Sequence, residues 1–293
     1  MLILISDAFD ASLPGMLKKY GEVTDDKNRL AEAEIVLVRS KTKATKEYID
    51  AAAKMKMIIR GGVGLDTIDV PYAKQKGIQV YNTAAASSIA VAELAFALML
   101  ALPNHITLGD SSMRQGKWLK KEMERTELHG KTLGILGIGR IGVEIARRAL
   151  AFGMKVIAFD PYVKSSPVAE IKPTLKDVLS QSDYISLNMP LTDETRGMLN
   201  KTTLAQCKNG AFIVNTGRGK CVIEEDVVET LKSGKLAGYA TDVWYSDPPE
   251  NSPLATAPNV VMLPHIGAST KENLLRIGDI IVELIDEYVK KKK

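Results

Sequence analysis

His265, in LPHIGAST, is one of three histidines in the chain, and it follows a stretch, DVWYSDPPE, that crowds Asp242, Asp247 and Glu250 around Pro248 and Pro249. An imidazole titrates near neutral pH and can take up or return an alcohol proton. A carboxylate beside it stabilises the imidazolium. Arg218, in VNTGRG, follows another apolar run, and a guanidinium there can grip a carboxylate in bidentate fashion and polarise a carbonyl. Taken singly, His265 also reads as a helix cap and Arg218 as half of a surface ion pair. Together they form an acid–base set in which Asp247 is the expected partner of His265, the two prolines stiffen the turn that aims it, and Glu250 is solvated. His105, after Pro103, and His129, before Gly130, are expected to be structural or surface residues.

The element needed to give such a set a purpose lies upstream, in KTLGILGIGRIGVEIARRALAFGMKVIAFDPY. Gly137-x-Gly139-x-x-Gly142 falls directly after an apolar strand pattern and directly before a helical one. In that context the first glycine permits a tight turn, the second lets the backbone approach a pyrophosphate, and the third lets helix and strand pack closely. The helix N-terminus then offers free N–H groups to the phosphates. Asp160 ends the next apolar run, where its carboxylate can accept from ribose hydroxyls and would repel a 2′-phosphate. This favours NAD, with Lys164 keeping NADP open. The other reading is a glycine-tolerant turn with no ligand.

A second set of cations stands at comparable positions nearer the N-terminus. Arg39 ends IVLVR, and Arg60 ends MIIR ahead of Gly61, Gly62, Val63 and Gly64. Backbone N–H groups of such a turn can hold a carboxylate, and two arginines a second anionic group such as a phosphate. The alternative is two exposed arginines at strand ends.

The elements that must position these residues alternate short β-rich apolar runs with helix-period segments, the pattern of parallel α/β architecture. A first sheet is expected from residues 2–6, 35–39, 57–60 and 79–82, with helices at 45–53 and 69–76. A long apolar helix over 87–102 leads to a boundary segment. A second, longer sheet is expected from 132–137, 156–160, 184–188, 211–215, 237–242 and 260–263, with helices at 140–152, 175–180 and 224–233, before a final amphipathic helix over 271–290. The 293-residue length suits two domains. With 45% apolar and 25% charged residues the composition is that of a soluble globular protein. The longest apolar run, at 94–102, is too short to span a bilayer. The N-terminus lacks a basic n-region, so it reads as a strand, and the cytoplasm is the expected compartment. A net charge of +4 gives little support to nucleic acid binding. Cys207 and Cys221 form no CxxC pair, so idle thiols are expected and no metal site.

Taken as a set, VRSKTKAT, RGGVGLDTID, AVAEL, ELHGKTLGILGIGRIG, LAQCKNGAFIVNTGRGK, TDVWYSDPPE and LPHIGAST give the chain, over nearly its whole length, a resemblance to the D-isomer-specific 2-hydroxyacid dehydrogenases, and within them to the D-3-phosphoglycerate dehydrogenases. The resemblance implies two doubly wound parallel-sheet domains: a flavodoxin-like substrate domain, residues 1–98 plus 270–293, and a Rossmann NAD-binding domain, residues 99–269. It implies catalytic roles for Arg218, Asp247 and His265. It implies cofactor contacts at Gly137, Gly139, Arg140, Ile141, Gly142, Asp160, Pro190, Thr195, Thr216, Gly217, Asp242, His265, Gly267 and Ala268, with Asp242 at the nicotinamide amide. Substrate contacts are implied at Arg39, Arg60, Gly61, Gly62, Val63 and Gly64. The expected activity is NAD-dependent oxidation of 3-phospho-D-glycerate, by a homodimer acting on small anionic 2-hydroxy or 2-keto acids, with closure between the domains excluding water. Two alternatives stand beside it: a glyoxylate or hydroxypyruvate reductase of the same family, and an NAD-sensing protein like the corepressors that share the fold.

Three departures from the family pattern bear on the site. Asp247 stands where glutamate is usual, one methylene or about 1.5 Å shorter. The loop from Asn82 to Ala86 lacks the usual proline and glycine. Lys220 replaces a small residue. The chain also ends after its last helix, so feedback inhibition through a C-terminal regulatory domain is not expected.

Overall fold

The computed structural model describes residues 1–292 and divides the chain into two compact units, Met1–Ser88 with Ala268–Lys293, and Ile89–Gly267. The sequence expectation put these boundaries at 98/99 and 269/270. The structural division falls instead inside the helix Ala84–Ala101 and just ahead of Ala268. Ala86 packs in the core of the first unit, whereas Ala92, Ala95, Phe96 and Met99 pack in that of the second. The helix runs unbroken through the boundary, and Ser87 and Ser88 are the polar pair at which its largely apolar run from Ile89 onward begins. It is also the one described helix long and apolar enough to cross a bilayer by length and composition, and 56% of it is buried inside the protein. Most of its second half is spent on core packing.

In the first unit β1 (Leu2–Ile5), β2 (Glu22–Thr24), β3 (Ile35–Val38), β4 (Met57–Arg60) and β5 (Gln79–Asn82) form a parallel sheet in the order β2-β1-β3-β4-β5. Successive residues alternate between two cores. Leu4, Val36, Val38 and Ile58 face one. Ile3, Ile35, Leu37, Met57 and Ile59 face the other, where Ile277, Ile281 and Ile285 of the final helix Lys271–Lys292 cover them. Burial on both faces is what lets these strands read as unbroken apolar runs.

The second unit holds β6 (Thr132–Leu136), β7 (Lys155–Phe159), β8 (Glu170–Ile171), β9 (Tyr184–Leu187), β10 (Ala211–Asn215), β11 (Leu236–Thr241) and β12 (Val260–Met262), all parallel, in the order β12-β11-β10-β9-β6-β7-β8. The strand order reverses between β6 and β9. In open α/β sheets ligands bind outside the carboxyl ends of the strands at such a switch point. In the first unit the corresponding reversal lies between β1 and β3.

Candidate active site

At the switch point of the second unit Gly137 follows β6 with φ of 89°, and an added Cβ would lie 3.1 Å from the carbonyl of Asn188, which follows β9. Gly139 caps the helix Arg140–Ala151, and a Cβ there would meet nothing within 4 Å, so the loop is open on the side the helix N-terminus faces. A Cβ at Gly142 would meet the Gly137 carbonyl oxygen at 2.4 Å. Asp160 closes the loop from the neighbouring strand: its carboxylate accepts from the N–H of Ile138 at 3.1 Å, and from those of Tyr162 at 2.9 Å and Val163 at 3.3 Å. Lys164 donates to the Pro161 carbonyl. Asn188 Oδ1 and Thr216 Oγ1, at the ends of β9 and β10, are buried polar atoms without a protein partner. The cradle, its flanking carboxylate and these unsatisfied atoms fit a dinucleotide.

The acid–base set assembles on the same sheet edge. Arg218 follows β10 in a loop organised by Asn215, whose amide donates to the Arg218 carbonyl at 3.1 Å and accepts from Gly217 N–H at 3.1 Å. Gly217 sits where a Cβ would press on the Leu187 and Met189 carbonyls, and Arg218 Nη1 donates to the Gly217 carbonyl. Asp242, 2% exposed, directly follows β11 and accepts from Ile266 N–H at 2.8 Å and Gly267 N–H at 2.7 Å. Burial pushes its carboxyl up, and those two N–H groups only partly counter the rise. Both of its oxygens thus hold the backbone beyond His265, which itself adopts a left-handed conformation with φ of 56°. A non-glycine residue there costs on the order of 1–3 kcal/mol and persists only where its surroundings impose it.

Asp247 reaches the imidazole despite its shorter side chain: its Oδ2 lies 2.5 Å from His265 Nδ1. A carboxylate facing Nδ1 fixes the proton on that nitrogen in the neutral ring and leaves Nε2 as the acceptor. Of the remaining expected cofactor positions, the Pro190 carbonyl accepts from Thr195 Oγ1 at 2.7 Å, and Ala268 falls in the first unit, where its carbonyl accepts from the buried Asn273. Lys220 is exposed, and its carbonyl accepts from Gly197 N–H. His105 contacts the Glu124 carbonyl ahead of the helix Ile106–Arg114, and the His129 ring lies against Gly153, away from this edge.

In the first unit Arg39 and Arg60 end or follow β3 and β4 on the carboxyl edge. A Cβ at Gly61 would strike Phe9 at 2.5 Å, and one at Gly62 the Arg60 guanidinium at 2.2 Å, so that guanidinium lies directly over the glycine turn. Arg39 is half-buried, and Nη1 donates to the Ala8 carbonyl. Burial lowers its pKa, with the Asp7 charge opposing. Asp7, at the switch point after β1, receives Arg39 N–H at 2.5 Å, Thr42 N–H at 3.1 Å and Thr42 Oγ1 at 2.7 Å. Burial works against its charge, yet these donors hold the carboxyl below the ordinary range. The loop after β5 needs neither proline nor glycine, because Thr83 Oγ1 accepts from Gly62 N–H at 2.9 Å and Asn82 donates to the Val63 carbonyl at 2.7 Å. Asp7, Asn82, Thr83, Asn188 and Asn215 are absent from the sequence-derived site.

Comparison with known proteins agrees with this geometry. Residues 96–267 match the family described as D-isomer specific 2-hydroxyacid dehydrogenase, NAD binding domain. The chain is 46% identical over 259 residues to the hydroxypyruvate reductase of Thermotoga maritima, covering 87% of this chain and 85% of that one. It is 40% identical over 300 residues to the D-3-phosphoglycerate dehydrogenase of Methanocaldococcus jannaschii, covering 98% of this chain and 57% of that longer protein. The structure of D-lactate dehydrogenase from Aquifex aeolicus, complexed with NAD and lactic acid, superposes with a TM-score of 0.88 at 30% identity, covering 99% of this chain and 96% of that one. A family match over more than half the chain, taking in the dinucleotide cradle at the switch point, establishes that the chain belongs to the D-isomer-specific 2-hydroxyacid dehydrogenases and is an NAD-dependent enzyme.

Proposed function

We propose that the enzyme oxidises 3-phospho-D-glycerate to 3-phosphohydroxypyruvate, the entry step of serine synthesis. The observation that carries this reading is the Arg60 guanidinium lying over the turn of residues 61–64, with Arg39 directly after the neighbouring strand, which together suit a second anionic group on the substrate. His265 Nε2 takes the hydroxyl proton, Asp247 orients the ring and supports the imidazolium, and Arg218 holds the carboxylate and polarises the reacting oxygen. Bound NAD supplies the hydride acceptor. Residues 137–142 and Asp160 would hold its pyrophosphate and ribose, and Asp242, which braces the backbone beyond His265, would meet the nicotinamide amide. Arg60→Gln is expected to raise KM for 3-phosphoglycerate about 10- to 100-fold, the loss of a charge-assisted pair. It should leave glyoxylate reduction within a factor of about 3, and an equal loss on both substrates would remove Arg60 from phosphate recognition.

A second reading, a hydroxypyruvate or glyoxylate reductase, is favoured by the identity to the Thermotoga maritima protein and by the engagement of Arg39 with the Ala8 carbonyl. Either enzyme is read as cytoplasmic and homodimeric. Ile106, Leu108, Met113 and Trp118, the last 74% exposed, offer apolar surface in one short stretch for a second copy to cover. Light scattering is expected to give twice the 31.9 kDa chain mass, and the mass of one chain would refute the dimer.

A further inference from the structure

Asp247 lies on a loop whose residues 245–251 are all exposed. Its own contact with His265 cannot hold that loop in place. The two side chains are 47% and 39% exposed, and ion pairs at such exposure contribute about 0–1 kcal/mol. The contacts that anchor the loop lie at its ends. Upstream, the Trp244 backbone sits against Gly219, where a Cβ would come within 2.2 Å of it. Trp244 Nε1 donates to the Leu263 carbonyl at 3.0 Å, and Tyr245 OH to the Val222 carbonyl at 2.8 Å. Downstream, Ser252 Oγ donates to Glu224 Oε2 at 2.6 Å and accepts from Leu254 N–H, capping the short turn Pro253–Thr256 whose Leu254 is buried.

Glu224 is an expensive choice for that anchor. It is 7% exposed in the first turn of the helix Glu224–Lys232, and among the described residues its side chain's hydrogen-bonding partner is a serine hydroxyl. A buried carboxylate so sparsely compensated costs free energy relative to an amide of the same shape. What the side chain supplies is an acceptor oxygen rooted in a packed helix, next to Val227 and Leu231 of the core. On the reading that Asp247 and His265 carry the proton, we propose that Glu224 is a positioning residue for that pair: through Ser252 it fixes the downstream end of the loop, while Tyr245 fixes the upstream end, and together they aim Asp247 at Nδ1.

The test uses the full-length enzyme with NADH and a 2-keto acid, reading kcat, KM and NADH affinity separately. Ser252→Ala and Glu224→Ala are expected to lower kcat about 10- to 100-fold, the cost of displacing a catalytic group by about 1 Å, with NADH affinity unchanged. Glu224→Gln, whose carbonyl oxygen still accepts from Ser252, is expected to keep kcat within a factor of about 3 of the parent. In an Asp247→Ala background Ser252→Ala should cost nothing further, because both act through one contact. Ser252→Ala removes a single hydroxyl and keeps the experiment readable if Glu224→Ala fails to fold. Full kcat in Ser252→Ala, or a loss that persists undiminished in the Asp247→Ala background, overturns the inference while leaving the pair intact. A lowered Tm with kcat and KM unchanged overturns it as well. Unchanged kcat in Asp247→Ala itself overturns the pair and the inference together.

Discussion

His265→Gln is expected to lower kcat/KM for the hydroxy acid by about 10⁴-fold, the upper end of what a positioned acid–base group contributes, while NADH affinity stays within a small factor. Glutamine matches the imidazole in length and polarity but does not carry a proton away at neutral pH. The surroundings are built for that one side chain. Asp242 spends both carboxylate oxygens on the N–H groups of Ile266 and Gly267, which holds His265 at a φ of 56°. Asp247 fixes the ring's tautomer through Nδ1. A loss of only a few-fold, measured by steady-state kinetics in both directions, would mean that another group moves the proton.

Gly142→Val is the second large effect, and it acts on binding. The added Cβ would lie 2.4 Å from the Gly137 carbonyl oxygen and 3.2 Å from Ile135, in a helix start where neighbouring backbone has no room to give. Relief requires the helix Arg140–Ala151 to back away from β6, which would withdraw the N-terminal N–H groups proposed to hold the pyrophosphate. Losing two charge-assisted hydrogen bonds at about 1.5–3 kcal/mol each raises the NADH Kd at least about 100-fold. Fluorescence titration reads this directly. Unchanged affinity in a folded variant would place the dinucleotide elsewhere.

Both glycine and histidine were legible because local spacing encodes them. The loop Gly137, Gly139, Gly142 stands between a strand and a helix in the sequence as in the structure, and Asp160, expected to end the next strand, directly follows it. Parallel strands buried on both faces leave apolar runs, and every central strand was recognisable to within a residue or two. The edge strands Glu22–Thr24 and Glu170–Ile171 were not, since each is short, partly exposed and begins with a glutamate. The site's supports were hidden for a different reason. Asp7 reaches Arg39 and Thr42, Thr83 reaches Gly62, and Glu224 reaches Ser252 across more than 20 residues of chain. Long-range side-chain hydrogen bonds of this kind leave no periodicity to read. The extra reach needed at Asp247 was likewise invisible, because backbone placement of its loop supplies it.

The most direct measurement of the central claim is a substrate panel followed by NADH absorbance: 3-phospho-D-glycerate with NAD, and 3-phosphohydroxypyruvate, hydroxypyruvate and glyoxylate with NADH. The account predicts NAD-dependent oxidation of phosphoglycerate, and a kcat/KM for the phosphorylated keto acid at least about 10-fold above the unphosphorylated ones, the worth of one charge-assisted contact. No turnover of either phosphorylated compound, with efficient reduction of hydroxypyruvate or glyoxylate, would contradict it.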